Sequence, residues 1–483
     1  VAGMVDLGLA YYPIAFFGII FLVNAVNLTD GLDGLCTGVT FVSMLGYLLA
    51  GSLLGFVHVS LLAATTAGAC VGFLLWNFYP AKVFMGDTGS MFFGGMVTAL
   101  AFVMDRPELV LFFGIVYIWD AMTVVIQRIY FKATHGKRIF KMTPIHHAFE
   151  LRGWKEVKID GFFALIAAIG VASTQAYAAY EQNVGGIQKI FGNMGKSLDE
   201  YAALTGQTVE QCSGKWQQLE QAQTTVLANA DAAYKTAGIS ANQYMEQVTG
   251  FSASLVSSLG GDTVKAAKYA NTAMVDMSDN ANTFGTDMQS LQWAYQGFAK
   301  QNYTMLDNLK LGYGGTKEEM ERLISDANRV KEANGEMADL SIDSFADVTE
   351  AIHIIQEQMN ISGTTAREAA TTIEGSVNSM KAAWENWLTG LGDDSADIQQ
   401  LTENLVGSFE TAAGNVVPRM AVIIGTLIGQ VPGLVSQLGP VAAQAVGDIF
   451  AEALRGIYDA LPSEAQQKVD EIALQFKGSG LAE

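Results

Sequence analysis

The chain has 483 residues, which is longer than one ordinary domain and predicts at least two. Its net charge of −20 is unevenly distributed, because residues 1–159 carry a net charge of +1 and the rest of the chain carries −21. Three cysteines, far apart in sequence, exclude a disulfide framework and a cysteine-based metal site, and no motif points to a nucleic-acid partner.

The first part of the chain consists of apolar runs separated by polar loops. A helix that spans a bilayer needs about 20 apolar residues, and five runs approach that length, although the fourth is short. The runs are Leu7 to Val26, Val39 to Val57, Val59 to Phe78, Met91 to Met104 and Leu109 to Ile126. A further run, Gly161 to Tyr180, is either a sixth span or an apolar segment of the later region of the chain. We therefore predict a membrane helix bundle of five or six spans.

Consecutive spans place alternate loops on opposite sides of a membrane. Loops 27–38 and 79–90 and the segment 127–159 share one side, and they hold every Lys and Arg of residues 1–159 except Arg106. An excess of basic residues is typical of cytoplasmic loops. We predict that these loops, which also carry the polar motifs, face the cytoplasm at the plasma membrane.

The first motif, NAVNLTDGLDGL, follows the first apolar run and precedes the second. Its polar residues recur at every third position and are Asn24, Asn27, Asp30 and Asp33. On a helix end that spacing lets the side chains converge on one side, while Gly31 and Gly34 allow close approach of the backbone to a ligand. A polar turn between two helices is the alternative, and it does not explain the period.

The second motif, NFYPAKVFMGDTGS, runs from Asn77 to Ser90. It places Asp87 between Gly86 and Gly89 at the mouth of a helix. A carboxylate in that position suits a metal ion that bridges phosphate oxygens.

The third motif, MTPIHHAFELRGW, contains His146 and His147 in a basic segment. Adjacent histidines point about 100° apart on a helix, and no cysteine or third histidine completes a zinc site. Anion binding or acid and base chemistry fits the surrounding basic residues better. Asp120, inside the fifth apolar run, is either a functional intramembrane acid or a partner in a buried bond between helices.

In this order and spacing, the three motifs resemble those of the phospho-N-acetylmuramoyl-pentapeptide transferase family. The resemblance implies an integral membrane enzyme that uses Mg²⁺ and moves phospho-MurNAc-pentapeptide from UDP-MurNAc-pentapeptide to undecaprenyl phosphate. It covers roughly the C-terminal half of such an enzyme. The family's Asp-Asp-x-x-Lys motif has no match in residues 1–159, and Ala148 replaces its third histidine. We expect a part that is truncated at its N-terminus and turns over nothing alone.

The resemblance also implies roles for individual residues. Asp87 resembles the magnesium-binding aspartate, and Asn27 and Asp30 resemble polar residues that line the cleft. Asn24 and Asn27 are predicted to bind substrate. The catalytic set is then Asp87, Asp30, His146 and His147. A uracil pocket is implied for Gly31, Leu32, Asp33, Asn77 and Phe84, with Phe84 as the stacking face.

From Glu181 onward the chain is acidic, rich in Ala, Gln, Ser and Thr, and apolar at helical spacing. We predict a long, mostly helical, elongated region, with Gly185, Gly192, Gly206 and Gly250 as helix ends. We also expect Thr316 to cap a helix with Glu319 as its partner, and His353 to be an ordinary helix-face residue. The predicted division is 1–159, a junction at 160–180, a helical region at 181–410, and an apolar then polar helical region at 411–483.

Segments from about residue 165 to the end resemble phage tail tape-measure proteins. They include YEQNVGGIQKIFGNMGKSLDEYAALTG and NYTMLDNLKLGYGGTKEEMERLISDA. The resemblance implies a protein that sets tail length as helical oligomers, assembled in the cytoplasm or located in the phage tail. The apolar stretch Val416 to Val446 then forms either a membrane-active hairpin or a buried segment. We interpret the whole chain as a chimera joined near residue 160, with a transferase-like fragment as the first function and a tape-measure protein as the alternative.

Overall fold

The computed structural model describes residues 8–435, without the side chains of Leu53 and of residues 420–435. The described residues form helices and no strands, which confirms the all-α prediction. They divide into two compact units, residues 8–178 with 391–394 and residues 179–390 with 395–435. Most of the predicted region 411–483, and the end of the stretch Val416 to Val446, lie outside the described residues.

The first unit contains seven helices and most of an eighth. They are α1 (Tyr11–Thr29), α2 (Leu35–Leu53), α3 (Val57–Asn77), α4 (Gly86–Val103), α5 (Leu109–Phe113), α6 (Ile115–Ala133), α7 (Ile145–Glu150) and α8 (Glu156–Ile190). The boundary between the units falls within α8, which runs without a break through the predicted junction near residue 160.

Four helices in the described part of the chain are long and apolar enough to cross a membrane: Gly8–Thr29, Leu35–Ser52, Val57–Asn77 and Glu156–Ile190. The helix Glu156–Ile190 contains the run Gly161 to Tyr180, which is predicted to be either a sixth span or an apolar segment of the later region. The fourth predicted run lies in α4 and the fifth is divided between α5 and α6, and none of these is among the four helices. In α6 the charged residues Asp120, Arg128 and Lys132 interrupt the apolar sequence.

The core of the first unit lies between its helices. α2 packs on α3, and α1 packs on α4 and α6. Hydroxyl groups join these apolar helices, since Ser43 Oγ donates to the Phe113 carbonyl oxygen at 2.6 Å and Thr40 Oγ1 lies 2.8 Å from Tyr117 Oη. Such bonds satisfy polar groups that would otherwise be buried alone among apolar side chains.

The contact between α1 and α4 depends on a glycine. A Cβ atom at Gly94 would lie 2.8 Å from Val23 Cα and 2.9 Å from the Val23 carbonyl oxygen, which are backbone atoms that cannot move aside locally. The absence of a side chain at Gly94 therefore lets the two helices touch backbone to backbone, as small residues do in membrane helix packing.

Substitution of this glycine tests the packing directly. We expect Gly94→Ala to lower the free energy of unfolding by about 1–3 kcal/mol, because the new methyl group forces α1 and α4 apart. The matched control is Gly95→Ala on the same helix, where a Cβ meets no atom within 4 Å. The control is expected to be neutral or to stabilise by up to about 1 kcal/mol, since alanine favours helix over glycine. Denaturant unfolding in detergent measures both, and equal effects would contradict the close contact.

Among the described residues, the second unit contains ten further α-helices, most of which begin at a polar cap. They are α9 (Leu198–Thr205), α10 (Val209–Thr236), α11 (Ala241–Ser258), α12 (Thr263–Phe284), α13 (Met288–Phe298), α14 (Lys317–Ala333), α15 (Phe345–Gln358), α16 (Thr364–Thr371), α17 (Ile373–Gly390) and α18 (Ile398–Val435). Side chains that accept from the first-turn amides are Ser197, Thr208, Ser240, Asp262, Asp287, Thr316 and Ser344. Each such cap satisfies an amide that the helix itself leaves free.

Two local predictions for the second unit differ from the structure in part. Thr316 caps α14 as expected, but the Glu319 carboxylate accepts from the Gly314 amide instead of completing the capping box. Gly206 ends α9, whereas Gly185 and Gly250 lie inside α8 and α11. Helical packing therefore tolerates these two glycines in helix interiors, against their intrinsic preference.

His353 lies on α15 with a third of its side chain exposed, as predicted for a helix-face residue, but it also has a buried partner. Its Nδ1 lies 2.8 Å from Oδ1 of Asp276, a carboxylate that is almost fully buried in the core. Burial raises the pKa of Asp276 to about 6, and the hydrogen bond to Asp276 raises the pKa of His353. The pair therefore fixes α15 against α12.

Candidate functional site

The first and second motifs meet where α1 ends and α4 begins. Asn27 Nδ2 donates to Asp87 Oδ1 at 3.0 Å and to Ser90 Oγ at 2.8 Å. Burial and the nearby Asp87 carboxylate raise the pKa of Asp30 to about 6. The structure thus brings Asn27, Asp30 and Asp87 together, although Asn27 and Asp87 are 60 residues apart in sequence.

The four polar residues of the first motif do not converge as the helical spacing predicted. α1 ends at Thr29, so the chain beyond it no longer follows the helical period. Asn24 Nδ2 donates to the Ile20 carbonyl oxygen of its own helix at 2.8 Å. Asp33 lies in the turn before α2, where its Oδ2 accepts from the Ala81 amide at 2.8 Å. Its own amide donates to Glu156 Oε2 at 3.2 Å.

The segment between α3 and α4 is held by Asn77. This side chain is buried, accepts from Thr37 Oγ1 at 2.8 Å and donates to the Val83 carbonyl oxygen at 3.0 Å. The neighbouring Phe84 is 72% exposed. Asn77 therefore positions the segment that presents an aromatic ring to the outside.

The third motif lies against the first. A Cβ atom at Gly31 would be 2.5 Å from His146 Nε2 and 3.2 Å from His147 Nε2, so the missing side chain makes room for both imidazole rings. The two rings are 4.3 Å apart between centroids. Leu32, next to this contact, is buried. The second and third motifs therefore both contact the first motif at the turn after α1.

Each histidine has its own carboxylate partner. His146 and Asp120 are fully buried, with His146 Nδ1 2.7 Å from Asp120 Oδ2. His147 is partly exposed, and its Nδ1 lies 3.0 Å from Glu150 Oε2. In both rings a carboxylate orients Nδ1, and Nε2 is the nitrogen nearer Gly31. Of the two alternatives for Asp120, the structure shows the buried bond between helical segments.

Sequence reasoning missed several of these partners. Ser90, Thr37 and Glu156 all bond to predicted site residues and were not singled out. The only signal for the Asp120 and His146 pair was a carboxylate in an apolar run. Partners of this kind are fixed by packing between distant segments, so no local spacing identifies them.

Comparison with known proteins agrees with the motifs. Residues 1–105 match the family model described as Glycosyl transferase family 4. A segment equal to 36% of the chain is 45% identical to the phospho-N-acetylmuramoyl-pentapeptide-transferase of Limosilactobacillus fermentum, over 54% of that protein. The enzyme of the same name from Clostridioides difficile is 50% identical over 34% of this chain and 52% of its own length.

Part of this chain is therefore similar to these transferases. The chain spans about half the length of the curated relatives it matches. Together with the four long apolar helices, the similarity indicates a membrane location. Both of these relatives are transferases, so the resemblance of the later segments to tape-measure proteins stays a prediction, as does the chimera.

Proposed function

We propose that the first unit forms the cytoplasm-facing part of a phospho-N-acetylmuramoyl-pentapeptide transferase site. The supporting observation is the meeting of three motifs around the turn after α1. Asn27 bonds to Asp87, and Gly31 contacts both His146 and His147. The substrates proposed from the relatives' name are UDP-MurNAc-pentapeptide and undecaprenyl phosphate. Basic residues in the loops that carry these motifs support the cytoplasmic orientation.

Asp87 is the proposed Mg²⁺ ligand. The described residues contain no group of three or more His, Cys, Asp or Glu side chains that could hold a metal ion. Mg²⁺ fits the site nevertheless, because it commonly binds through one or two carboxylates together with substrate phosphates. Burial and, after it, the nearby Asp87 carboxylate raise the pKa of Asp30, and a cation bound there would relieve the repulsion between the two carboxylates. When bound, the ion would neutralise phosphate charge during transfer.

The chain's own residues are proposed to position the substrate. Asn27 holds the Asp87 carboxylate through its amide. Phe84 offers an exposed ring for stacking on uracil, on a segment that Asn77 holds at Val83 and Asp33 holds at Ala81. His147, partly exposed and oriented by Glu150, is the histidine placed to meet a phosphate or to exchange a proton. His146 is fully buried, and its proposed part is to support that geometry.

A uridine nucleotide tests the proposal. The measurement is saturation-transfer NMR of UDP added to the full chain in detergent, with Mg²⁺ and then with excess chelator. We expect weak binding that depends on Mg²⁺, with stronger saturation of the uracil protons than of the ribose protons. We expect Phe84→Ala to weaken binding roughly tenfold, since loss of a base-stacking ring costs about 1–3 kcal/mol.

The controls separate a local effect from a general one. Phe92→Ala removes another exposed phenylalanine, 59% exposed on α4, and should leave UDP binding unchanged. Asp87→Asn should abolish the Mg²⁺ dependence while the protein stays folded. UDP binding that changes neither with removal of Mg²⁺ nor with Phe84→Ala would contradict the proposal. Because no Asp-Asp-x-x-Lys motif occurs in residues 1–159, we expect no lipid-linked product from this chain alone.

A further inference from the structure

A cavity lies at the C-terminal end of α6, in the first unit. Its volume is about 780 Å³, within the range of about 300–1,000 Å³ that small-ligand sites occupy. The charged residues that line it are all basic and are Arg128, Lys132, Arg138 and Lys141. Four positive charges with no acidic side chain in the lining predict an anionic ligand.

The four cations are free to bind such a ligand. Within residues 8–435, none of them forms an ion pair. Their side chains are exposed, so desolvation does not oppose their charge. Among the described residues, no acidic side chain therefore already neutralises these four basic residues.

A buried amide in the same cavity has an unused donor. Gln127 lines the cavity and is 9% exposed. Its Oε1 accepts from the amides of Ile139 at 3.0 Å and Phe140 at 2.9 Å, which fixes the loop that carries Arg138 and Lys141. Its Nε2 is buried and has no hydrogen-bond partner. An anionic oxygen in the cavity would satisfy that donor, since an unpaired buried N–H costs free energy.

The rest of the lining is apolar and includes Val124, Phe131, Phe140, Met142 and Leu151. Three of these side chains, Phe131, Met142 and Leu151, are also exposed. Basic and apolar groups that share one cavity match a ligand with a phosphate head and acyl chains. A free phosphate ion would use the cations and leave the apolar lining in water.

We propose that this basic cavity binds the phosphate headgroup of an anionic membrane phospholipid, such as phosphatidylglycerol. The lining includes Met142 and Leu151 of the third motif but none of the residues proposed for phosphosugar transfer, and the inference does not depend on that function. Arg128, Lys132, Arg138 and Lys141 meet the headgroup, Gln127 Nε2 donates to it, and the apolar lining contacts the acyl chains.

The test is thermal unfolding of the full chain in a nonionic detergent with added dioctanoyl phosphatidylglycerol. We expect saturable stabilisation by this lipid and none by dioctanoyl phosphatidylcholine or inorganic phosphate. Arg138→Gln with Lys141→Gln should raise the half-saturating concentration roughly tenfold or more, because each basic residue contributes to the attraction. Gln127→Glu keeps an acceptor for Ile139 and Phe140 but replaces the donor with a carboxylate, and should abolish the stabilisation.

The matched control is Lys137→Gln with Lys155→Gln, which removes two charges from the same basic segment outside the cavity lining. It should change the half-saturating concentration by less than about twofold. Equal loss in the control, equal stabilisation by phosphatidylcholine, or unchanged binding by Gln127→Glu would overturn the proposal. Stabilisation by inorganic phosphate alone would assign the cavity to a free anion. Competitive displacement by a polyprenyl phosphate would assign it to the transfer site instead.

Discussion

Replacing Asp120 with alanine is expected to lower the free energy of unfolding of the first unit by about 3 kcal/mol or more. Asp120 and His146 are fully buried, and their 2.7 Å contact is the only bond formed by the imidazole of His146 among the described residues. Removal of one partner leaves the other polar group buried without compensation, at a typical cost of about 3–5 kcal/mol for an ion pair. Hydrogen exchange of peptides from α6 and α7 measures the loss locally.

Two further variants calibrate this result. Asp120→Asn keeps an oxygen that can bond to His146 Nδ1 and should cost less, near the value of about 1 kcal/mol for one hydrogen bond. Glu108→Ala removes an exposed acid from its pair with Arg106 and should cost less than about 1 kcal/mol. If Asp120→Ala were as mild as Glu108→Ala, the buried pair would not hold α7 in place.

The second large effect is expected in the second unit, at Asp279. This residue of α12 is fully buried, and its two carboxylate oxygens accept from the amides of Gly363 at 2.6 Å and Thr365 at 2.8 Å. The N-cap residue of α16, Gly363, has no side chain to do this itself. Bonds to a charged acceptor contribute about 1.5–3 kcal/mol each, so Asp279→Ala should destabilise the unit by about 3 kcal/mol or more.

An exposed aspartate on the same helix provides the comparison. Asp262 caps α12 itself with one bond to the Lys265 amide at 3.0 Å, and its removal should cost about 1 kcal/mol. Thermal unfolding compares the stability of the two variants, and hydrogen exchange of α16 peptides locates the loss. Protection of α16 that survives Asp279→Ala would contradict the role of this carboxylate as a cap supplied from another helix.

The sequence predicted those features that depend on residues close together in the chain. Apolar runs and helical periodicity indicated an all-α protein, and Thr316 was recognised as a cap because the capping residue and its amide are three positions apart. Asn27 and Asp87 could be grouped only through a family resemblance, since nothing local joins residues 60 positions apart.

Contacts that depend on tertiary packing could not be predicted from the sequence. His353 pairs with Asp276 across 77 residues, and periodicity alone assigned His353 to a helix face without a partner. The end of α1 at Thr29 is a boundary of the kind that sequence patterns locate poorly. That single boundary decides whether Asp33 follows Asp30 around a helix or turns towards Ala81.

The backbone contact at Gly94 determines which motions the candidate site can make. Val23 meets Gly94 and Asn27 meets Ser90, so the two contacts lie four residues apart on each of two antiparallel helices. A slide of α1 along α4 by one residue is a shift of about 1.5 Å, enough to break the 2.8 Å bond from Asn27. We therefore expect the two helices to move together, so that any change in the width of the cleft comes from the segments around them, such as the one between α3 and α4 that carries the exposed ring of Phe84.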